Sequence, residues 1–229
     1  MNNDLAWERE YQNPQFLTLG TEPLADVRDF IKWLRRKQKV DTTEFTVLDL
    51  GCGNGKNLNY IIDLFAKQGI GYDISSTAIN HAQELAGTLP VTYEVRSISD
   101  PFPLENKSID LVLDVTASNS LSEAERAKFL KEISRVLKPG SYCFTRALCK
   151  DGDDNAKNLI KDFPGLEYDT YVLAETGITE RVFSKQDFID TYNSYFEIIE
   201  LEKKSGYQRW GNQKYKRNYW LAYLKIKKN

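Results

Sequence analysis

Between Phe45 and Asn57 the chain reads FTVLDLGCGNGKN, an apolar and partly β-branched run that gives way to three alternating glycines. Few backbones accept that order. Phe45-Thr46-Val47-Leu48 suits a central parallel strand, whose two faces are both covered. Gly51, Gly53 and Gly55 suit a turn that needs positive φ or the close approach of a ligand. Residues Lys56 to Lys67 suit a helix whose first amides face that ligand. Strand, glycine turn and helix in this order predict a βα unit of an open α/β sheet, with a ligand at the strand's C-terminal end.

The glycine spacing narrows the ligand. A dinucleotide fingerprint, G-x-G-x-x-G, would need a glycine where Lys56 stands. A phosphate-binding G-x-x-x-x-G-K-[ST] loop fails at Asn57 and lacks the earlier glycine. What stands is D-x-G-x-G-x-G, from Asp49 through Gly51 and Gly53 to Gly55. Asp73 follows 24 residues after Asp49, closing the strand-like Gly69-Ile70-Gly71-Tyr72-Asp73. A carboxylate there can accept hydrogen bonds from a ribose diol. Further on stands Ser134-Arg135-Val136-Leu137-Lys138-Pro139-Gly140. Over residues 45 to 148, these three stretches resemble the class I S-adenosylmethionine (SAM)-dependent methyltransferases: their glycine motif, their acidic second-strand tip and their helix-to-strand turn, here with one glycine where many relatives have two.

The resemblance implies a Rossmann-like α/β fold, a seven-stranded, mostly parallel sheet with helices on both faces. It also implies SAM as the cofactor. By the same resemblance Asp49 orients the glycine turn or meets the methionine ammonium, and Gly51, Cys52 and Gly53 pass close to methionine and ribose. Asn54 and Asn57 would offer polar contacts, although Asn57 equally suits the start of a helix. Asp73 would hold the ribose and Ile74 would pack on adenine. Ser97 stands where relatives often carry an acidic residue, with Ile98 beside it as an apolar and backbone contact. Asp100 would take the acidic role only in a shifted loop. Asp114, Val115 and Thr116 would border the methyl group, and Asn119 in the same loop would contact the acceptor.

The rest of the chain alternates as βα units do. A helix is expected from Glu22 to Lys39, with Pro23 in its first turn and Leu24, Val27, Phe30, Ile31 and Leu34 at helical spacing. Ser122 with Glu125 reads as a capping box. Strands are expected at Pro90–Val95, Asp110–Asp114, Ser141–Leu148, Phe196–Leu201 and Tyr219–Ile226, the last antiparallel beside the sixth. Residues 149 to 183 break the alternation and are expected to form a lid inserted after the fifth strand, its Tyr168 and Tyr171 reaching the acceptor. The N-terminal arm, with Trp7, Tyr11, Phe16 and Leu19, is too polar for a core helix. Its aromatics either anchor it on the domain or, with Tyr11 foremost, enter the pocket. Residues 1–229 read as one methyltransferase domain, with 1–40 as arm and helix.

The chain has 229 residues, 28% of them charged, and no apolar run approaches a membrane span of ~18 residues. The sequence Met1-Asn2-Asn3-Asp4-Leu5 lacks a signal peptide's basic and apolar regions. Cys52, Cys143 and Cys149 lack metal-ligand spacing and suit reduced thiols, so a cytoplasmic location is expected. His81, the only histidine, reads as a packing or surface residue. Net charge is −2, but residues 203–229 hold nine Lys/Arg and no Asp/Glu. That basic, aromatic strip either grips RNA or forms a hairpin with lysines on its solvated face, and the hairpin is favoured.

A sulfonium methyl is a strong electrophile, so such an enzyme mainly aligns its reactants in a dry pocket. The sequence assigns no catalytic base. No [DNS]-P-P-[YFW] follows Asp114, which argues against the nucleobase-amine and glutamine-amide methylases that use it. No metal-binding carboxylate cluster is evident, so no metal is expected. The expected activity is methyl transfer to O, N or S of a small molecule, by a monomer or homodimer. An RNA or protein methyltransferase and a non-catalytic SAM-binding protein remain alternatives.

Overall fold

The computed structural model describes residues 3–15, 17, 19–210 and 213–227. Phe16 lies outside the described residues, as do Gly211 and Asn212 of the basic strip and the side chains of 208–210, 213 and 214. Five strands form the parallel part of the sheet: β1 (Thr46–Leu50), β2 (Gln68–Asp73), β3 (Val91–Val95), β4 (Ile109–Val115) and β5 (Leu137–Cys149). Two long strands, β8 (Phe196–Trp210) and β9 (Gln213–Ile226), complete it. The order is β3-β2-β1-β4-β5-β9-β8, with β9 antiparallel to both of its neighbours. This is the seven-stranded, mostly parallel sheet that the resemblance implied.

Alternation along the central strands builds two cores. Val47, Leu111, Leu113 and Phe144 face one side, against α2 (Ala25–Arg36), α3 (Lys56–Leu64) and α4 (Ser76–Ala86). Leu48, Val112 and Cys143 face the other, against α5 (Glu123–Val136) and α7 (Lys185–Tyr192). Both faces carry apolar side chains, as Val47-Leu48 of β1 and Leu111–Leu113 of β4 require.

Several boundaries differ from expectation. The N-terminal arm does form a helix, α1 (Asn3–Gln12), but of its described side chains only Ala6 and Glu10 are buried. Side-chain hydrogen bonds hold it, not a core. Helix α2 starts at Ala25, not Glu22, because Asn57 Oδ1 accepts from the Leu24 amide at 2.9 Å and keeps that residue extended. The fifth strand begins at Leu137, directly after α5, and absorbs the Lys138-Pro139-Gly140 turn as a register shift against β4. The last two strands extend well past the expected spans. Residues 150–183 form α6 (Asp154–Asp162) and a small hairpin of β6 (Thr170–Val172) and β7 (Thr179–Arg181).

Candidate functional site

A cavity of about 700 Å³ opens at the C-terminal ends of the parallel strands. Its wall takes Gly51 after β1, Asp73 and Ile74 after β2, Ser97–Ser99 after β3, and Val115–Ala117 after β4. From the tip of β3 to that of β4 is three strand spacings, roughly 14 Å. The strand order therefore sets the cavity's long axis. Helix α1 covers it with Asn3, Trp7 and Tyr11, and the segment between β5 and α7 contributes Pro164–Glu167, Thr170, Val172, Gly177 and Thr179.

The β2 end sets a buried carboxylate beside an apolar wall. The Asp73 carboxylate accepts from the Gly53 amide at 2.9 Å and the Ser75 amide at 3.0 Å. These bonds lock the glycine turn to the start of α4. Burial outweighs them and raises Asp73 to about 6. Ile74 and Ile98 supply apolar wall, and Ser97 Oγ lies 2.9 Å from Ser99 Oγ. Asp100 is exposed and stands outside the wall, so the loop is not shifted to bring it in. Ser99 takes that place.

The glycine turn is crowded from above. A Cβ on Gly51 would lie 2.2 Å from Ala117 Cβ, and one on Gly53 would lie 2.6 Å from Tyr11 Oη. Both residues also hold positive φ. The glycines thus let the β4 loop and α1 close onto the turn, and of the motif's three glycines only Gly51 reaches the cavity. Beneath the turn Asp49 is buried, and its Oδ2 has no hydrogen-bond partner among the described residues. Burial, with the nearby charges of Asp73 and Asp114, pushes Asp49 up to about 8. An unpartnered carboxylate oxygen among three acidic side chains suits a cationic ligand. SAM, with an ammonium and a sulfonium, fits that environment.

The β4 side carries different groups. Thr116, at φ 62°, follows Val115 into the wall. Asn119 is buried at the cavity edge, and its Oδ1 accepts from the Leu148 amide at 3.2 Å. That bond assigns the amide orientation and directs Nδ2 elsewhere. Nδ2 has no partner among the described residues. Two carboxylates of the wall, Glu125 and Glu167, are engaged: Glu125 with the Ser122 amide and hydroxyl, Glu167 with the Glu123 amide.

Helix α1 is pinned at both ends of the cavity. Glu8 accepts from Ser75 Oγ (2.6 Å), Thr77 Oγ1 (2.7 Å), Ser76 Oγ (3.2 Å) and the Thr77 amide (3.3 Å), at the N-terminus of α4. Burial alone would raise the Glu8 carboxyl, but these bonds win and hold it at about 2. At the other end Asn3 accepts from the Thr179 amide at 3.0 Å and donates to the Ser120 carbonyl at 2.7 Å. Trp7 Nε1 donates to Ser120 Oγ between them.

Of the sequence candidates, Gly51, Asp73, Ile74, Ser97, Ile98, Val115, Tyr11, Thr116 and Asn119 meet around this cavity. Others turn away, each for a visible reason. Asp114 faces its own loop, accepting from the Ser118 amide (3.0 Å) and hydroxyl (2.6 Å). Asn57 is spent on Leu24, and Asn54 donates to the Gly20 carbonyl at 3.0 Å. Cys52 is buried beneath the turn, its amide donating to the Tyr72 carbonyl. Tyr171 is wholly buried with its hydroxyl between Glu180 and Arg217. Tyr168 points to solvent. Neither tyrosine lines the cavity. The sequence reading missed Asn3, Ser99, Ser120 and Glu167 because small polar residues in loops carry no pattern. Glu125 had a signal, but it was that of a helix cap.

Part of the basic strip is tied down, while Lys203 and Lys216 are exposed. Lys204 and Arg146 both pair with Asp26, and Arg217 is buried against Tyr171, Glu180 and Asp153. No helix among the described residues is long and apolar enough to cross a membrane.

Known proteins bear on this geometry. Residues 47–140 match the family model described as a methyltransferase domain. Phthiotriol/phenolphthiotriol dimycocerosates methyltransferase 1 of Mycobacterium ulcerans is 33% identical over 140 residues, 60% of this chain and 50% of that one. The chloroplastic tocopherol O-methyltransferase of Arabidopsis thaliana is 30% identical over 106 residues, 45% of this chain and 30% of that one. The chain thus spans about half the length of the first relative and less of the second. A SAM-dependent methyltransferase structure from Methanosarcina mazei superposes with a TM-score of 0.70 at 20% identity, covering 90% of this chain and 100% of that one, a likeness of fold. With its glycine turn, acidic second-strand tip and sheet order, the stretch from 47 to 140 is a methyltransferase domain of the class I SAM-dependent type.

Proposed function

We propose that this protein transfers the methyl group of SAM to an oxygen of a small, hydroxyl-bearing acceptor. The observation that carries the reading is a cavity that runs without a break from Asp73 to Asn119 and the β6–β7 segment. At about 700 Å³ it is in the size range of pockets for drug-sized ligands, roughly 300–1,000 Å³. A protein that only bound SAM would have no use for the part beyond β4. Two relatives support oxygen and a small molecule: one is named for a triol and phenol-triol substrate, the other is an O-methyltransferase. The inward pairing of Lys204 and Arg217 speaks against an RNA grip by the C-terminal strip.

In this reading Asp73 holds the ribose, Ile74 and Ile98 enclose adenine, and Asp49 Oδ2 meets the ammonium, directly or through water. When bound, SAM supplies an electrophilic methyl group with a neutral thioether as leaving group. Asn119 Nδ2 donates to the acceptor oxygen and stabilises it as an oxyanion. Trp7, Tyr11 and the β6–β7 segment exclude water. Because Glu125 and Glu167 already accept backbone N–H groups, alignment carries the reaction. That favours an acidic hydroxyl, such as a phenol, that loses its proton to bulk water before it enters and attacks the methyl carbon as the phenolate, leaving a neutral thioether.

The test has two stages. Calorimetric titration of S-adenosylhomocysteine (SAH) into the wild type should show binding that weakens roughly 10- to 100-fold in Asp73→Asn, as loss of charged hydrogen bonds predicts. Labelled-methyl transfer from SAM to panels of phenols, amines and thiols should then label phenols. Labelling of amines alone would overturn the oxygen assignment, and no SAH binding would overturn the whole reading.

A further inference from the structure

The turn from Phe163 to Thr170, at the mouth of the cavity, is closed from several directions. The Gly165 amide donates to the Thr170 carbonyl at 2.9 Å, and Val172 donates to Phe163 at 2.9 Å. Thr170 Oγ1 donates to the Glu167 carbonyl at 2.6 Å and accepts from the Glu167 amide at 3.2 Å. The Glu167 carboxylate accepts from the Glu123 amide of α5 at 2.9 Å. A Cβ on Gly165 would fall 2.2 Å from Thr170 Oγ1, so the turn admits no larger residue there.

This fixed turn presents apolar groups to water. Leu166 is fully exposed, Tyr168 is 73% exposed and Phe163 46%. Single exposed apolar residues need no explanation. Three within six residues, on a turn held this firmly and at the rim of a cavity, do. Leu166 itself lines the cavity. Its neighbours in the wall on that side, Leu121, Pro164 and Val172, are apolar too. These apolar groups form a track from the β4 side of the cavity to Leu166 at its mouth, in a wall that also holds the polar Ser120, Ser122, Glu125 and Glu167.

We infer that this track is a subsite for an alkyl chain carried by the acceptor, which leaves the cavity across Leu166 while the hydroxyl group stays near Asn119. The inference rests on the reading above and names its substrate class: a hydroxyl-bearing molecule with a hydrocarbon tail. The tail covers Leu166 and shares Tyr168 and Phe163 with solvent.

The probe is a series of 4-alkylphenols, from methyl to octyl, titrated into the SAH-saturated protein by calorimetry. Once the chain is long enough to reach the rim, each added CH₂ should tighten binding by about two- to threefold, below the roughly fourfold of a fully buried CH₂. Leu166→Ser should flatten that dependence, and Tyr168→Ser, outside the cavity wall, should do so while leaving the affinities for SAH and 4-methylphenol unchanged. Leu166 is fully exposed, so Leu166→Ser should keep the wild-type melting temperature, whereas Tyr168→Ser also removes the ring that Lys150 and Arg181 face and should melt slightly lower. An unchanged chain-length dependence in Leu166→Ser, or none in the wild type, overturns the inference. So does failure of every phenol to bind while SAH still binds, and that result leaves the SAM site standing. Phosphatidylcholine vesicle binding that Leu166→Ser abolishes, with the chain-length dependence unaltered, also overturns it and assigns the turn to a bilayer surface instead.

Discussion

Asp49 illustrates how a residue can serve a ligand at the fold's expense. Burial and two neighbouring carboxylates raise it to about 8. A carboxyl raised in the folded state binds a proton that the unfolded chain has already released. Stability from this group is therefore intact below about pH 4 and falls as pH rises toward 8. Asp49→Asn should raise the melting temperature of the ligand-free protein at pH 8 and leave it little changed at pH 4. The same substitution should weaken SAH binding roughly 10-fold, the scale of one charged hydrogen bond. Wild-type binding should tighten from pH 6.5 to 8 with release of a proton, visible as a buffer-dependent heat, and the variant should lose most of both. Gly51→Ala is the steric counterpart. Its Cβ would meet Ala117 Cβ at 2.2 Å from a backbone at φ 70°. A loss of about 1–3 kcal/mol is expected from overpacking, partly recovered in thermal melts by adding Ala117→Gly.

At the scale of elements, α1 is the part that chain order leaves most open and the structure makes most specific. Glu8 bonds the first residues of α4 while Asn3 bonds β7 and the Ser120 carbonyl. The helix thus straddles the β2 and β4 ends of the cavity. Glu8→Gln weakens the first attachment and leaves the second. In stopped-flow displacement SAH should leave this variant several-fold faster, with the melting temperature within a few degrees of wild type. An unchanged release rate would mean that α1 does not control exit. The element pattern was legible from Val47 to Gly140 because glycine spacing and apolar alternation report backbone geometry directly. Side-chain direction was not. Asp114 and Tyr171 stand in segments that border the cavity, yet one faces Ser118 and the other the Glu180–Arg217 pair. Composition cannot distinguish a polar group aimed at a ligand from one satisfied inside the protein. Nor could the arm be read, since α1 holds its place through serine, threonine and asparagine side chains with no periodicity.

For the whole molecule, the sheet order makes β9 the piece on which its edge depends. It pairs with β5 from Tyr142 to Cys149 and with β8 along its full length. Ala222, wholly buried, faces Thr145 on one side and Leu201 on the other. Ala222→Pro should cost at least about 3 kcal/mol, because proline removes a ladder donor in the middle of a sheet. The expected result is insoluble protein, whereas Ala222→Ser should remain folded and bind SAH. Ladder pairing, not the charge of the strip, was the reason for the length of these strands. The basic residues of their outer half are partly consumed in holding α6 and α2, through Arg217 to Asp153 and Lys204 to Asp26.

The bonds from Asn3 to Thr179 join residues 176 positions apart. On the ribosome, then, the covering of the cavity cannot be completed until most of the chain has emerged. The glycine turn and its first neighbours, by contrast, are made early and close together. A nascent chain can attach α1 to α4 through Glu8 early, but its attachment at the β7 end comes late. Cofactor present during translation could occupy the cavity before that end of the helix settles over it, so that the first molecule bound is enclosed by assembly and every later one must enter by exchange.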